Sequence, residues 1–492
     1  MNAQFESDLA LPQQPEHLWR HFQAITRIPR PSGQEGALRD RIIKLAEERG
    51  FRHAVDEAGN LVVYVPASGG CESAETVIIQ NHLDMVTVKT GDKEHDFERD
   101  PLSLQVKDGW LSADRTTLGA DNGVGVAAAL AAMTDPDVTH PPMELLFTTE
   151  EETGLHGASN LDASLLTGTR MLNLDTEDWG ELYIGCAGGY GYEAQRQIMM
   201  KRPRPGLVPY MLHLKGLSGG HSGIQIHEQL GNANKLLTEV LVDADELDWQ
   251  LSRFRGGVAH NVIAREASVE ILVDPEQMDQ WQAHLDQVRD RWLGYLPEAD
   301  QGLNWVFEPI EREEPLVASA ADTHMILNLL SVLPHGAQSY NLQQPADLVD
   351  LSVNLAVVML QDDTLRIQTS MRFFNENQAR PLKHKLEALF EIFQIGYSII
   401  LDYPGWNPDF DSALVARTRD IAARQLGEVP VLKAIHAGLE CGILKSKKPD
   451  LDIVSFGPTI KGAHSPTERL EIATVEPFWR LVTGVLEDLA RV

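Results

Sequence analysis

Four short runs with the apolar, β-branched composition of buried strands recur between residues 60 and 178 of this chain. They are "NLVVYVP" (60–66), "TVIIQNH" (76–82), "MELLFTTEEE" (143–152) and "RMLNLDTED" (170–178). Strands buried on both faces lose the alternation of half-exposed ones, so such runs, separated by helically spaced segments, predict an α/β layer with a mostly parallel sheet. Residues 34–49 keep apolar positions at helical spacing and end on Gly50, placing an amphipathic helix before the sheet. A fifth run, "LDIVSFGP" (451–458), has the same texture far downstream. The chain is expected to return there to its first sheet.

The texture differs in between. "YMLHLKGL" and "ASVEILV" alternate as half-exposed strands do and flank the helical "LGNANKLLTEVL"; "LSVNLAVVML", "TLRIQTSMRFF" and "KHKLEALFEIF" then repeat the order of strand and helix. This predicts an inserted α+β lid domain built from two similar units, at about 188–310 and 311–400. "PGWNP" (404–408) supplies turn chemistry for the return. The expected organisation is a discontinuous catalytic domain, 1–187 and 401–492, with a substrate-binding lid at 188–400. A chain of 492 residues also exceeds what one core usually serves.

Charge narrows the partners. With 42 Lys+Arg against 72 Asp+Glu the formal charge is -30, which argues against nucleic acid or an anionic membrane surface. The longest apolar stretch, "GVGVAAALAAM" (123–133), is too short to span a bilayer. The segment "MNAQFESDLALPQQPEHLW" has no basic n-region and no apolar h-region, and Cys71, Cys186 and Cys441 form no CxxC pair. A cytoplasmic, reducing location is the expectation.

The ends of the predicted strands carry the chemistry. His82 and Asp84 close one, Glu150, Glu151 and Glu152 another, and Asp175 a third, while "LDIVSFGP" runs on into "TIKGAHSPTE" with His464. In open α/β sheets the carboxyl ends of strands form the ligand crevice, so these groups can converge from distant positions. Asp121 precedes the glycine-containing, alanine-rich stretch in "TLGADNGVGVAAALAAM", where its plain alternative is a helix N-cap. Crowded carboxylates at buried strand ends repel one another and resist desolvation; a pair of divalent cations resolves that cost. Mixed histidine and carboxylate ligation suits zinc, with manganese or cobalt as substitutes.

Eight ordered motifs carry a resemblance: "HLD" (82–84), "GADNG" (119–123), "TTEEETG" (148–154), "NLDTED" (173–178), "GGHSG" (219–223), "HNVIAR" (260–265), "HAGLECG" (436–442) and "GAHSPTE" (462–468). Together they resemble the co-catalytic di-zinc peptidase family that includes aminoacylase and carnosinase, over nearly the whole chain. The resemblance implies two Zn2+, one held by His82, Asp121 and Asp175 and the other by Asp121, Glu152 and His464, with Asp121 bridging through a cis Asp121–Asn122 peptide. It makes Asp84 the residue that orients His82, Glu151 the general base, and His221 the stabiliser of the tetrahedral oxyanion. Arg372, Asn261 and Gly438 are the implied substrate contacts, Arg372 pairing with a C-terminal carboxylate. Glu440 is open between a helix-start acid and a polar contact.

The implied activity is metal-dependent hydrolysis of unblocked dipeptides, Xaa-His among them, by a monomer or homodimer. An N-acyl-amino-acid deacylase on the same site is the nearest alternative. A non-catalytic metal or peptide binder is the alternative from another class.

Overall fold

The computed structural model describes residues 9, 11–341, 348–427 and 429–491. Its contacts divide the chain into two compact units, one of Met1–Gly185, Pro408–Ala434 and Leu439–Val492, the other of Cys186–Asn407 with Ile435–Gly438.

The first unit is built on an eight-stranded sheet. At its centre Val77–His82 runs parallel to Met143–Thr148 on one side and to Arg170–Asn173 on the other, and Asp452–Ser455 runs parallel beside Arg170–Asn173. Val77–His82 and Met143–Thr148 are buried at every position, as their unbroken apolar runs require. Antiparallel strands flank this core, so the sheet is mixed, with its parallel part confined to four strands. Because those four point the same way, the residues after His82, Thr148, Asn173 and Ser455 leave the sheet at one edge. The helix Ala120–Thr134 is almost wholly buried. Its alanines let the helix Glu16–Ile25, with Leu18, Phe22 and Ile25 inward, pack closely against it.

A four-stranded sheet of very short strands belongs to the same unit: Ile460–Lys461, Arg469–Glu471, Trp110–Ala113 and Leu104–Lys107 in that order. The loop with His464 joins its first two strands, and the chain leaving Trp110–Ala113 leads to Asp121. Two segments some 340 residues apart in sequence are thereby clamped together.

The second unit is a nine-stranded sheet in which Trp249–Gly256 pairs with Val349–Gln361 and joins two halves. Each half has two long helices, Ala233–Val242 and Met278–Leu293 in one, Ala320–Val332 and Glu376–Ile392 in the other. One strand departs from the division read along the sequence. Gly188–Gln197 lies between Thr364–Phe373 and Gly396–Tyr403, in the half formed mainly by the later residues. Pairing follows register with partners almost two hundred residues away, which local periodicity does not record.

Candidate metal centre

Asp121 stands at the middle of the first unit's polar cluster. Its Oδ1 lies 3.0 Å from His82 Nε2 and its Oδ2 3.1 Å from His464 Nε2. Asp175 Oδ1 is 3.3 Å from the same His82 nitrogen, without hydrogen-bond geometry, and Glu152 Oε2 is 3.0 Å from His464 Nε2. Three overlapping donor sets result, each within 4.8 Å: His82 with Asp121 and Asp175, Asp121 with Glu152 and His464, and His82 with Glu151 and Glu152. The Asp121–Asn122 peptide is cis.

The supports around these donors are themselves buried. Asp84 is fully buried, with Oδ1 3.4 Å from His82 Nδ1. The same carboxylate accepts the N–H groups of Glu151 and Glu152, each at 3.1 Å, and the Ser32 hydroxyl at 2.7 Å. One side chain thus faces the imidazole nitrogen and fixes the backbone of two catalytic-candidate acids. Glu440 is also fully buried, taking bonds of 2.6 Å from both Gln80 Nε2 and Thr148 Oγ1. Both of its open readings describe it: it is the first residue of the helix Glu440–Lys447, and its carboxylate is held by polar contacts within the first unit.

The electrostatics follow from burial and crowding. Burial disfavours a charged His82, yet Asp175, Asp121 and Asp84 outweigh it and hold the imidazole well above its ordinary range. Hydrogen bonds to Asp121 and Glu152 raise His464 to about 11. Burial, reinforced by Asp175, Glu152 and Glu440, pushes Glu151 well above the usual carboxylate range, and burial lifts Asp175 to about 6. Glu152 Oε1 is buried with no hydrogen-bond partner. Two imidazoles among four acids, with a carboxylate oxygen left unpaired, form a donor set that fits divalent cations of zinc type.

A second cluster belongs to the other unit. His221 Nδ1 accepts the N–H groups of Gly223 at 3.2 Å and Ile224 at 3.1 Å, so the neutral ring carries its proton on Nε2. Burial, then Arg372 and His260, lowers His221 to about 4. Arg372 is 8% exposed; its Nη1 donates to Tyr403 Oη at 3.3 Å and its Nε has no partner. Gly223 is pressed among these groups: a Cβ there would meet His436 O at 2.1 Å and Arg372 Nε at 3.1 Å. Asn261 is tied in by its carbonyl, which accepts from Ser222 N–H at 2.8 Å, and Gly438 packs on the Tyr403 ring.

Several residues of these clusters carry no signal in the sequence. Arg30 reads as a loop cation in "RIPRPSG", yet it is 1% exposed and donates to the carbonyls of Leu83, Asp84 and Gly119. Ser32 is equally silent, and His436 opens the quoted run "HAGLECG" with no role assigned to it there. Glu468 closes a recognised motif and is buried against the Asp121 loop.

An α/β unit with acids and histidines gathered at the ends of its parallel strands, joined in sequence to an inserted α+β unit, is the architecture of a metallopeptidase. The chain belongs to peptidase family M20/M25/M40, whose sequence profile matches residues 78–488. It is 37% identical to the cytosol non-specific dipeptidase of Escherichia coli strain K12 over 96% of this chain and 98% of that one. The crystal structure of aminoacylhistidine dipeptidase from Vibrio alginolyticus superposes with a TM-score of 0.88 at 36% identity, covering 97% of each chain. A tripeptidase structure from Staphylococcus aureus, at TM-score 0.55 and 15% identity over 98% of this chain and 100% of that one, shares the fold.

Proposed function

We propose that this protein is a dipeptidase that hydrolyses unblocked dipeptides, Xaa-His among them, at a centre of two Zn2+ ions for which Mn2+ or Co2+ can substitute. The observation that carries the reading is Asp121, whose two oxygens face His82 and His464 at 3.0 and 3.1 Å. His82, Asp121 and Asp175 are the proposed ligands of one ion, and Asp121, Glu152 and His464 those of the other. Bound there, the cations supply Lewis acidity, acidifying a water and polarising the scissile carbonyl.

The remaining roles belong to the chain itself. Glu151, which shares a donor set with His82 and Glu152, takes the proton of the attacking water and passes it to the leaving amine. Asp84 keeps His82 in the tautomer with Nε2 free to bind. In the inserted unit His221 offers Nε2–H to the developing oxyanion, Arg372 pairs with the C-terminal carboxylate, and Asn261 and Gly438 contact the substrate. The first unit is the proposed catalytic domain and the second the substrate-binding lid.

The named E. coli relative supports a cytoplasmic location. Among the described residues no helix is long and apolar enough to cross a membrane. Nucleic acid and membrane are not among the proposed partners, and the assembly is a monomer or homodimer.

Metal quantification on the purified protein beside a panel of free and N-acetylated dipeptides tests the reading. Two metal equivalents and turnover of free dipeptides are expected. Faster consumption of the acetylated compounds would replace the dipeptidase with a deacylase.

A further inference from the structure

We infer that Glu468 is a positioning residue for the bridging carboxylate of Asp121, aligning it by gathering the N–H groups of the loop that carries it. The inference rests on the metal-dependent reading above. Glu468 is 2% exposed, and both of its oxygens are engaged. Oε2 accepts from Leu118 N–H at 2.7 Å and Gly119 N–H at 3.0 Å; Oε1 accepts from Ala120 N–H at 2.8 Å and, more weakly, Asp121 N–H at 3.4 Å. Four successive backbone donors on one carboxylate form a nest that fixes the orientation of every peptide plane leading to Asp121.

The other side of the loop is held by Arg30. Its Nη2 donates to the Gly119 carbonyl, and its Nη1 to the carbonyls of Leu83 at 2.8 Å and Asp84 at 2.5 Å. Gly119 therefore gives its N–H to Glu468 and its C=O to Arg30. Its φ of 65° lies in the left-handed region, and an added Cβ would meet Arg30 Nη2 at 2.5 Å and Met85 Sδ at 2.8 Å. A side chain there would strain the backbone and push Arg30 and Met85 aside.

Glu468 also lies on the segment that supplies His464. Its N–H donates to Ser465 O at 3.0 Å, closing a turn immediately after that histidine. One short segment thus places His464 and aligns the carboxylate that faces it at 3.1 Å. A tilt of the 118–121 loop would take one Asp121 oxygen from His82 or the other from His464. Loss of Glu468 is therefore expected to weaken both metal sites together, whereas a ligand held by one ion alone would weaken one.

The test is a Zn2+ titration of the full metal-free chain against a chromophoric chelator, for wild type and Glu468→Gln, with thermal melting of each metal-free protein alongside. Wild type should take two equivalents. Glu468→Gln keeps the size of the side chain but turns an amide donor toward N–H donors, so both equivalents should bind about ten- to a hundredfold more weakly, and the metal-free melting point, which should fall, reports the separate cost to the fold. Glu468→Asp, which keeps the charge with a shorter reach, should fall between the two. If Glu468→Gln binds both equivalents as wild type does, the inference is overturned and the functional reading stands; if wild type itself takes up no metal, it is the functional reading that fails. Should the variants not fold, amide hydrogen exchange of metal-free wild type decides. Slow exchange at Leu118, Gly119, Ala120 and Asp121 before any metal is added supports the clasp, and free exchange there overturns it.

Discussion

The two units hold histidine clusters of opposite electrical character. In the first, carboxylates draw protons onto the imidazoles, raising His464 to about 11 and His82 well above its ordinary value. In the second, burial comes first and Arg372 next, lowering His221 to about 4 and His436 to about 3. The first cluster is a surplus of anionic oxygen waiting for cations; the second is a neutral and cationic set that suits an anion. On the proposed reading, this difference divides the labour of amide hydrolysis between metal binding with proton transfer for the first cluster and recognition of negative charge for the second.

The largest expected effects test the first cluster. Chelation of metal should abolish turnover, and His464→Ala or Asp175→Ala should lose metal and nearly all activity, read by elemental analysis and a dipeptide assay. Because His82 and His464 hold protons in the metal-free protein, loading should release protons, and cation affinity should rise with pH through neutrality. Calorimetry in buffers of different ionisation enthalpy measures that release. Glu151→Gln should retain both metals yet lose at least about 10²-fold in turnover. A near-normal rate for Glu151→Gln would remove it as the base.

Next comes the donor of the second cluster. His221→Ala should lower kcat by about 10²-fold with metal content unchanged if Nε2–H is the group offered to the oxyanion, as proposed. A loss of metal in that variant would break the division between the two clusters.

How much of this could be read in advance depends on what each feature leaves in the sequence. The central strands were legible because strands buried on both faces must be continuously apolar, as Val77–His82 and Met143–Thr148 are. Their polar ends then stood out against that background, and parallel direction accounts for the convergence of His82, Glu152 and Asp175. The small sheet that clamps the Asp121 and His464 loops was not legible. Its strands run two to four residues, too short for periodicity to show. Arg30 was hidden for another reason: its partners are backbone carbonyls, which every residue possesses, so no side-chain pattern marks it.

A smaller effect sharpens the role of Arg372. If it pairs with a substrate carboxylate, Arg372→Ala should lower kcat/KM for free dipeptides by roughly ten- to a hundredfold, as expected for a charge-assisted contact of about 1.5–3 kcal/mol. A C-terminally amidated dipeptide should already be poor with wild type, and the variant should worsen it little, because both changes remove the same pair. Equal losses on free and amidated substrates would make Arg372 structural.

The smallest effect is on stability, and its sign differs between the clusters. In the unfolded chain a histidine titrates near about 6.5. His436 is 6% exposed, takes a 2.8 Å hydrogen bond with Ser352, and is lowered to about 3 in the fold. Below about pH 6.5 the unfolded chain gains a proton that the folded ring refuses, so the contribution is complete above that pH and declines toward pH 3, by up to about 1.4 kcal/mol per pH unit. His464 in the metal-free protein behaves in reverse: raised to about 11, its contribution is complete below about 6.5 and fades as pH rises toward 11. Being 56% exposed, it should contribute only weakly. Denaturant unfolding of the metal-free protein between pH 7.5 and 5 reads the acid limb. His436→Asn, which can still bond Ser352 but does not titrate, should flatten the fall of the second unit's transition. An unchanged slope would mean that the folded ring accepts its proton near the ordinary value, and the contrast between the two clusters would then rest on His221 alone.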